Sequence, residues 1–255
     1  MSAKTHLFPC LQDNYGVLIH DPASGATAAI DAPEASPVEA ALAATGWRLT
    51  DILVTHHHGD HTAGIPDLKK RHNCRVVAPR AEASRISLVD ETVGEGDTVK
   101  VGGLTGRVLE TPGHTAGHIA YWFEPESVAF VGDTLFSIGC GRVIEGTPEM
   151  MWESLLKLRN LPGETRIYCG HEYTLANIRF AQTIESDNPA LIARAAEAAE
   201  QVAARKPTIP TTIAAEKAAN PFLRADVSDV AAAIGMSGKP AAQVFAEIRA
   251  RKNKF

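Results

Sequence analysis

The sequence predicts an α/β chain whose first two thirds are strand-rich and whose last third is helical. Up to about Cys169, short apolar runs rich in β-branched residues recur, which is strand chemistry. After Tyr173 the composition turns to alanine and glutamate, and helical spacing such as Val244, Phe245 and Ile248 replaces any strand-like alternation. Strands and helices alternate irregularly, and no glycine-rich phosphate loop follows the first strand, so a dinucleotide-binding order does not fit.

The runs expected as strands are residues 16–20, 27–31, 51–55, 75–78, 104–109, 118–123, 127–131 and 166–169. Between two of them, Ser36, Pro37 and Glu39 read as a capping-box start with proline in the first turn, and Gly46 closes the helix after Thr45. A second helix is expected over 63–71. A third starts at Thr147 and Pro148 and carries Met151, Leu155 and Leu158 on one stripe. In the last third, Pro207 and Pro210 mark a loop between helices.

The chain has 255 residues, 45% hydrophobic and 22% charged, which is ordinary for a globular protein. A net charge of -5 offers no global field for a polyanion, so no nucleic-acid partner is expected. Neither a basic segment followed by an apolar one at the start nor any run long enough to cross a bilayer is present, which predicts a cytoplasmic protein without a membrane partner. Cys10, Cys74, Cys140 and Cys169 are far apart and read as buried free thiols.

Chemistry concentrates directly after the strand expected at 51–55. Thr55-His56-His57-His58-Gly59-Asp60-His61 places several imidazoles and a carboxylate in one turn entering a helix. His56 and His58 lie two apart and can point the same way, while Asp60 and His61 can turn toward a neighbouring position, so one loop can serve two cations. Imidazole and carboxylate ligands suit zinc, iron or manganese. Three further candidates stand where strands should end: His114 in Thr111-Pro112-Gly113-His114, Asp133 in Val131-Gly132-Asp133-Thr134, and His171 in Cys169-Gly170-His171-Glu172. Taken singly, such a residue is more often a hydrogen-bonded structural one; together with the loop they supply seven ligands.

This HxHxDH loop followed by His114, Asp133 and His171 resembles the ligand set of the metallo-β-lactamase superfamily. The resemblance implies an α/β fold, an αββα sandwich with the site at one edge. It implies that His56, His58 and His114 bind a first metal and Asp60, His61 and His171 a second, with Asp133 bridging. Asp60 and Asp133 would be the catalytic carboxylates, and Asp31 would support the ligand loop from behind. His57 is no ligand in that pattern and is expected to face away. Two divalent metals per chain follow, zinc first, with iron or manganese as alternatives.

The resemblance sharpens over Leu11-Gln12-Asp13-Asn14-Tyr15, over Ile167-Tyr168-Cys169-Gly170-His171-Glu172-Tyr173-Thr174, over Asn220-Pro221-Phe222-Leu223-Arg224 and over Arg249 to Lys252. There the chain is similar to the glyoxalase II family, which appends a C-terminal α-helical domain to the sandwich. The division implied is 1–173 for the metal-binding domain and 174–255 for a glutathione-binding helical domain. The resemblance also implies hydrolysis of S-D-lactoylglutathione, a small-molecule glutathione thioester, to D-lactate and glutathione by a monomer. Arg249 and Lys252 would bind the glycine end of glutathione, with Arg142 and Tyr173 contributing. Three residues apart, Arg249 and Lys252 share a helix face. Two departures stand out: Ile144 occupies a place where the family often has tyrosine, and Asn253 one where it commonly has aspartate. The rival readings are another hydrolase of this fold, or a persulfide dioxygenase acting on a glutathione derivative.

Overall fold

A computed structural model describes residues 2–255, and the chain packs into two compact units. One comprises the chain up to Glu110 together with Gly117–Gly132, and the other Thr111–Ala116 together with Asp133–Phe255. This is a different partition from a division at residue 173. The hexapeptide belongs to the second unit for identifiable reasons: Ser154 Oγ donates to Pro112 O at 2.7 Å, and Gly113, at φ 146°, lies so close to Met151 that a Cβ there would sit 2.9 Å from its Cα. Only glycine fits that approach.

In the first unit, β1 (Lys4–Cys10), β2 (Asn14–His20), β3 (Ala26–Ile30), β4 (Arg48–Leu53), β5 (Arg75–Pro79) and β6 (Glu91–Val93) form one sheet in sequence order. β1, β2 and β3 pair antiparallel, and the pairs from β3 to β6 are parallel. Parallel strands need crossovers, and α1 (Ala35–Thr45) and α3 (Ile65–His72) supply them. Val38, Leu42, Ile65 and Leu68 of these helices pack with Leu18, Ala29, Ile52, Val54 and Val76 in one core cluster. In a second sheet, β7 (Thr98–Val101), β8 (Leu104–Glu110), β9 (Ile119–Phe123) and β10 (Val128–Phe130) pair antiparallel in sequence order. The buried Tyr121 hydroxyl donates to Val54 O at 2.7 Å, tying this sheet to the turn after β4.

The second unit is mainly helical. It holds a small hairpin, β11 (Leu135–Phe136) and β12 (Gly139–Cys140), a two-strand pair, β13 (Arg166–Tyr168) and β14 (Thr211–Thr212), and helices α4 (Pro148–Arg159), α5 (Thr174–Ala181), α6 (Pro189–Ala203), α7 (Ile213–Ala219), α8 (Ser228–Ala233) and α9 (Ala241–Lys254). Trp152 of α4 stacks near Phe245 of α9 at 6.0 Å, and Phe222 stands 5.8 Å from Phe180. The hairpin is braced by polar groups. Buried Glu216 accepts from Ile138 N at 2.8 Å, Thr211 Oγ1 at 2.7 Å and Asn220 Nδ2 at 2.9 Å, and Asn220 Nδ2 also donates to Gly139 O at 3.0 Å. Burial raises the Glu216 carboxyl and these bonds oppose the rise. They also hold Ile138 at φ 56°, a left-handed conformation that costs a branched residue about 1–3 kcal/mol.

All eight expected strands are present within a few residues, as are the helices ending at Gly46 and starting after Thr147. Gly46 takes φ 72° and its amide bonds Leu42 O, and Thr147 accepts from Met150 N. Ser36 is not the cap. Glu34 occupies the cap position without a side-chain bond, and just before it Ala32 N donates to His61 O and Gly64 N to Ala32 O, which ties the entry of the helix to the ligand loop. The helix expected over 63–71 is α3, and a separate single turn, α2 (Gly59–Thr62), precedes it.

Candidate functional site

Both units carry candidate ligand residues. In the first, β4 ends at Leu53 and the chain turns through Thr55–His58 into α2, at the carboxyl end of a parallel strand where open α/β sheets place their chemistry. Asp31, at the end of the neighbouring β3, has a left-handed backbone (φ 57°) and lies under this turn. Its Oδ1 accepts from Thr55 N at 2.7 Å, and its Oδ2 accepts from Thr55 Oγ1 at 2.8 Å and lies 2.8 Å from His61 Nδ1.

These bonds decide tautomers. A carboxylate only accepts, so His61 carries its proton on Nδ1. The Thr55 hydroxyl gives its hydrogen to Asp31 and therefore accepts from His56 Nδ1, 3.0 Å away. Both imidazoles thus present Nε2 as a lone pair, the form a metal ligand requires. His56 Nε2 lies 3.1 Å from His58 Nδ1, and His61 Nε2 lies 3.7 Å from Asp60 Oδ2. Asn14 Nδ2 donates to Asp60 Oδ2 at 3.2 Å and to its carbonyl at 3.1 Å. His57 does turn away, to Glu82 at 2.8 Å. His118 is buried and stacks 4.9 Å from His56.

In the second unit, Asp133 Oδ2 lies 3.4 Å from His114 Nε2 and 3.2 Å from His171 Nε2. His114 Nδ1 donates to Arg142 O at 2.9 Å, so in the neutral ring Nε2 holds the lone pair. With the ring neutral, that lone pair and the carboxylate oxygen at 3.4 Å repel, and a metal ion held between them relieves the repulsion. The donor chemistry of these residues, and the histidine and aspartate clusters they form, therefore fit metal ions.

A cavity of about 530 Å³ in this unit has His114 and Asp133 in its wall together with Arg142, Arg179, Arg249 and Lys252. None of these four cations pairs with a carboxylate among the described residues. Arg249, buried, gives Nη1 to Cys140 O at 2.9 Å and Nε to Asn253 Oδ1 at 3.0 Å. Asn253 thus keeps a hydrogen bond that an aspartate would make and leaves the guanidinium charge unneutralised. Lys252 Nζ donates to Ala176 O at 2.9 Å with Phe180 and Phe255 on either side. Burial first, then Arg249 and Arg179, lowers its pKa to about 8. Tyr173 stacks on His171 with ring centroids 4.9 Å apart. Ile144 is 57% exposed and is not in the cavity wall. Burial pushes the Cys140 thiol up to about 11, which makes it a poor nucleophile.

The structure thus brings His56, His58, Asp60 and His61 together over Asp31 in one unit. In the other it brings together His114, Asp133 and His171, and gathers Arg142, Tyr173, Arg249 and Lys252 around one cavity. Sequence reasoning missed Arg179, Thr55, Asn14 as the partner of Asp60, and Glu82. Only Asn14 and Thr55 stand inside segments singled out beforehand, and nothing in the sequence pattern marks the other two.

Comparison with known proteins places these observations. Residues 11–171 match the family model described as metallo-beta-lactamase superfamily, and residues 172–255 match hydroxyacylglutathione hydrolase C-terminus. A hydroxyacylglutathione hydrolase of Rhodopseudomonas palustris (strain BisB5) is 62% identical over 253 residues, 99% of each chain. Among solved structures, ETHE1 from Myxococcus xanthus superposes with a TM-score of 0.70 at 28% identity, covering 99% of this chain and 92% of the other. TTHA1623 in a di-iron-bound form gives 0.57 at 26% identity, over 66% and 91%.

Proposed function

Since this chain belongs to the metallo-β-lactamase superfamily and, over its whole length, to the hydroxyacylglutathione hydrolases, we propose that it hydrolyses S-D-lactoylglutathione and related 2-hydroxyacylglutathione thioesters to the hydroxy acid and glutathione. The observation that carries this reading is the cavity of the second unit, which joins His114 and Asp133 to four cations with no carboxylate of their own. A thioester of glutathione is the complementary molecule: an acyl carbon to be attacked at one end and carboxylates to be held at the other.

The donor set supports two divalent cations, with His56, His58 and His114 on the first, Asp60, His61 and His171 on the second, and Asp133 shared. We assign zinc to both positions; iron is the alternative, supported by the di-iron-bound form of TTHA1623. Bound there, such ions lower the pKa of water from about 15.7 to about 7 and polarise an acyl oxygen. The chain's own residues do the rest. Asp31 and Thr55 hold the Nδ1 protons of His61 and His56, and Arg142 O holds that of His114, so the lone pairs stay aimed as the reaction proceeds. Arg249, Lys252 and Arg142 hold the carboxylates of glutathione, and Tyr173 backs His171. The leaving thiolate, from a thiol of pKa about 8.5, needs no general acid. We propose a domain boundary at residue 173, with metal chemistry before it and glutathione recognition after it; family matches over 11–171 and 172–255 support it. We propose a cytoplasmic monomer; among the described residues no helix is long and apolar enough to cross a membrane.

The test is one assay with two substrates. Purified protein should hydrolyse S-D-lactoylglutathione without consuming oxygen and should hold two metals per chain by elemental analysis. Oxygen uptake with glutathione persulfide and no thioester turnover would overturn the hydrolase reading.

A further inference from the structure

Glu82 lies outside every role assigned so far, yet it is 2% exposed and both of its oxygens are engaged. Oε2 accepts from His57 N at 2.8 Å and lies 2.8 Å from His57 Nδ1, and Oε1 accepts from Gly117 N at 2.8 Å. Its own backbone is fixed, its amide donating to Pro79 O at 3.0 Å at the end of β5. One carboxylate therefore ties three segments of the first unit: the end of β5, the ligand loop after β4, and the turn into β9. Gly117 is needed for this. A Cβ at that position would stand 2.7 Å from Glu82 Cγ and 2.7 Å from Ala81 Cβ.

The held residue is the one between His56 and His58. These two meet through different ring nitrogens, Nε2 of His56 and Nδ1 of His58, at 3.1 Å. Which nitrogens can meet is set by the backbone of the intervening residue, and that residue is bound by Glu82 at both its amide and its ring. Asp31 and Thr55 fix one member of the pair, His56; Glu82 fixes its spacing to the other. We infer that Glu82 is a positioning residue for the metal-binding loop, presetting His56 and His58 as a pair of donors through His57. The inference rests on the reading of His56 and His58 as ligands. Partners of this outer kind are worth about 10- to 100-fold in metal affinity.

Two variants approach the clamp from opposite sides. Glu82→Gln keeps the size, but its amide nitrogen cannot accept an N–H, so one of the two segments is released. Gly117→Ala keeps the carboxylate chemically intact and displaces it by crowding. Zinc retained after dialysis against graded chelator is measured by elemental analysis, beside circular dichroism and steady-state kinetics. One of two zinc equivalents is expected to dissociate about 10- to 100-fold more readily in each variant. KM should be unchanged, and kcat should recover when zinc is added in excess, which a general loss of structure would not allow. If both variants fold and retain zinc as the wild type does, the clamp is wrong. Should either fail to fold, His57→Ala carries the test: it keeps the amide bond and loses the ring bond, so weaker zinc retention supports the inference and wild-type retention overturns it. A wild-type protein that retains no zinc, iron or manganese would instead overturn the metal reading beneath it.

Discussion

The ligand loop of the first unit and the cationic cavity of the second are assembled in opposite ways. The loop draws His56, His58, Asp60 and His61 from one turn and rests them on Asp31 at the end of the adjacent strand. The cavity collects its residues from the stretch after β12, from both ends of α5 and from the last turns of α9. In the loop, position is fixed by local hydrogen bonds; in the cavity it is fixed by helix packing, as Arg249 shows by reaching Cys140 O. A site built locally should fail completely when a donor is lost. One built from packed helices should fail in degrees, because its cations share the work.

Asp133→Ala is the most severe way to break that contrast. Asp133 lies between His114 and His171 in the second unit and also lines the cavity, so it belongs to both kinds of construction. Its loss removes a donor directly, and kcat/KM is expected to fall by more than the roughly 100-fold that an outer partner is worth. Measured activity within about tenfold of wild type would mean that the carboxylate is not shared between two cations.

Arg249→Ala probes the cavity alone. A charge-assisted hydrogen bond contributes about 1.5–3 kcal/mol, which is about 10- to 100-fold in binding. That loss should fall on KM with kcat nearly unchanged, because uniform binding contacts act there. A fall in kcat at constant KM would move Arg249 from recognition to chemistry.

Lys252 sharpens the comparison through pH. Its pKa is lowered to about 8, first by burial and then by Arg249 and Arg179. A carboxylate binds the charged form and raises that pKa, so binding is complete below about pH 8 and must take up a proton above it. KM should therefore rise above pH 8, by at most about tenfold per unit, and Lys252→Met should flatten the rise. A KM independent of pH between 7 and 9.5 in the wild type would remove Lys252 from the binding site.

Legibility in the sequence follows the same line. His56 to His61 is readable because scarce residue types crowd into one turn, and strands such as 27–31 and 51–55 because parallel strands buried on both faces are near-continuous apolar runs. Arg249 and Lys252 are common residues on an ordinary helix, and only family resemblance singled them out. Arg179 was not found at all, since its role depends on which way α5 faces. Glu82 was invisible for a different reason: its partners His57 and Gly117 are far from it in sequence and it carries no motif. Strands β1, β6, β7, β11, β12 and β14 were missed, because Pro9 breaks the pattern of β1 at a sheet edge and the others run for only two to four residues.

The smallest expected effect separates two helix starts that looked equally good in the sequence. Thr147 begins α4 in the second unit and its side chain accepts from Met150 N, whereas Ser36 falls inside the first turn of α1 and caps nothing. A threonine cap is worth about 1 kcal/mol, so Thr147→Ala should lower stability by about that amount in denaturant unfolding. Ser36→Ala, on an exposed position, should change it by less than about 0.5 kcal/mol. The reverse order would mean that the capping box read from Ser36 and Glu39 forms after all, and that the ligand loop does not dictate where α1 begins.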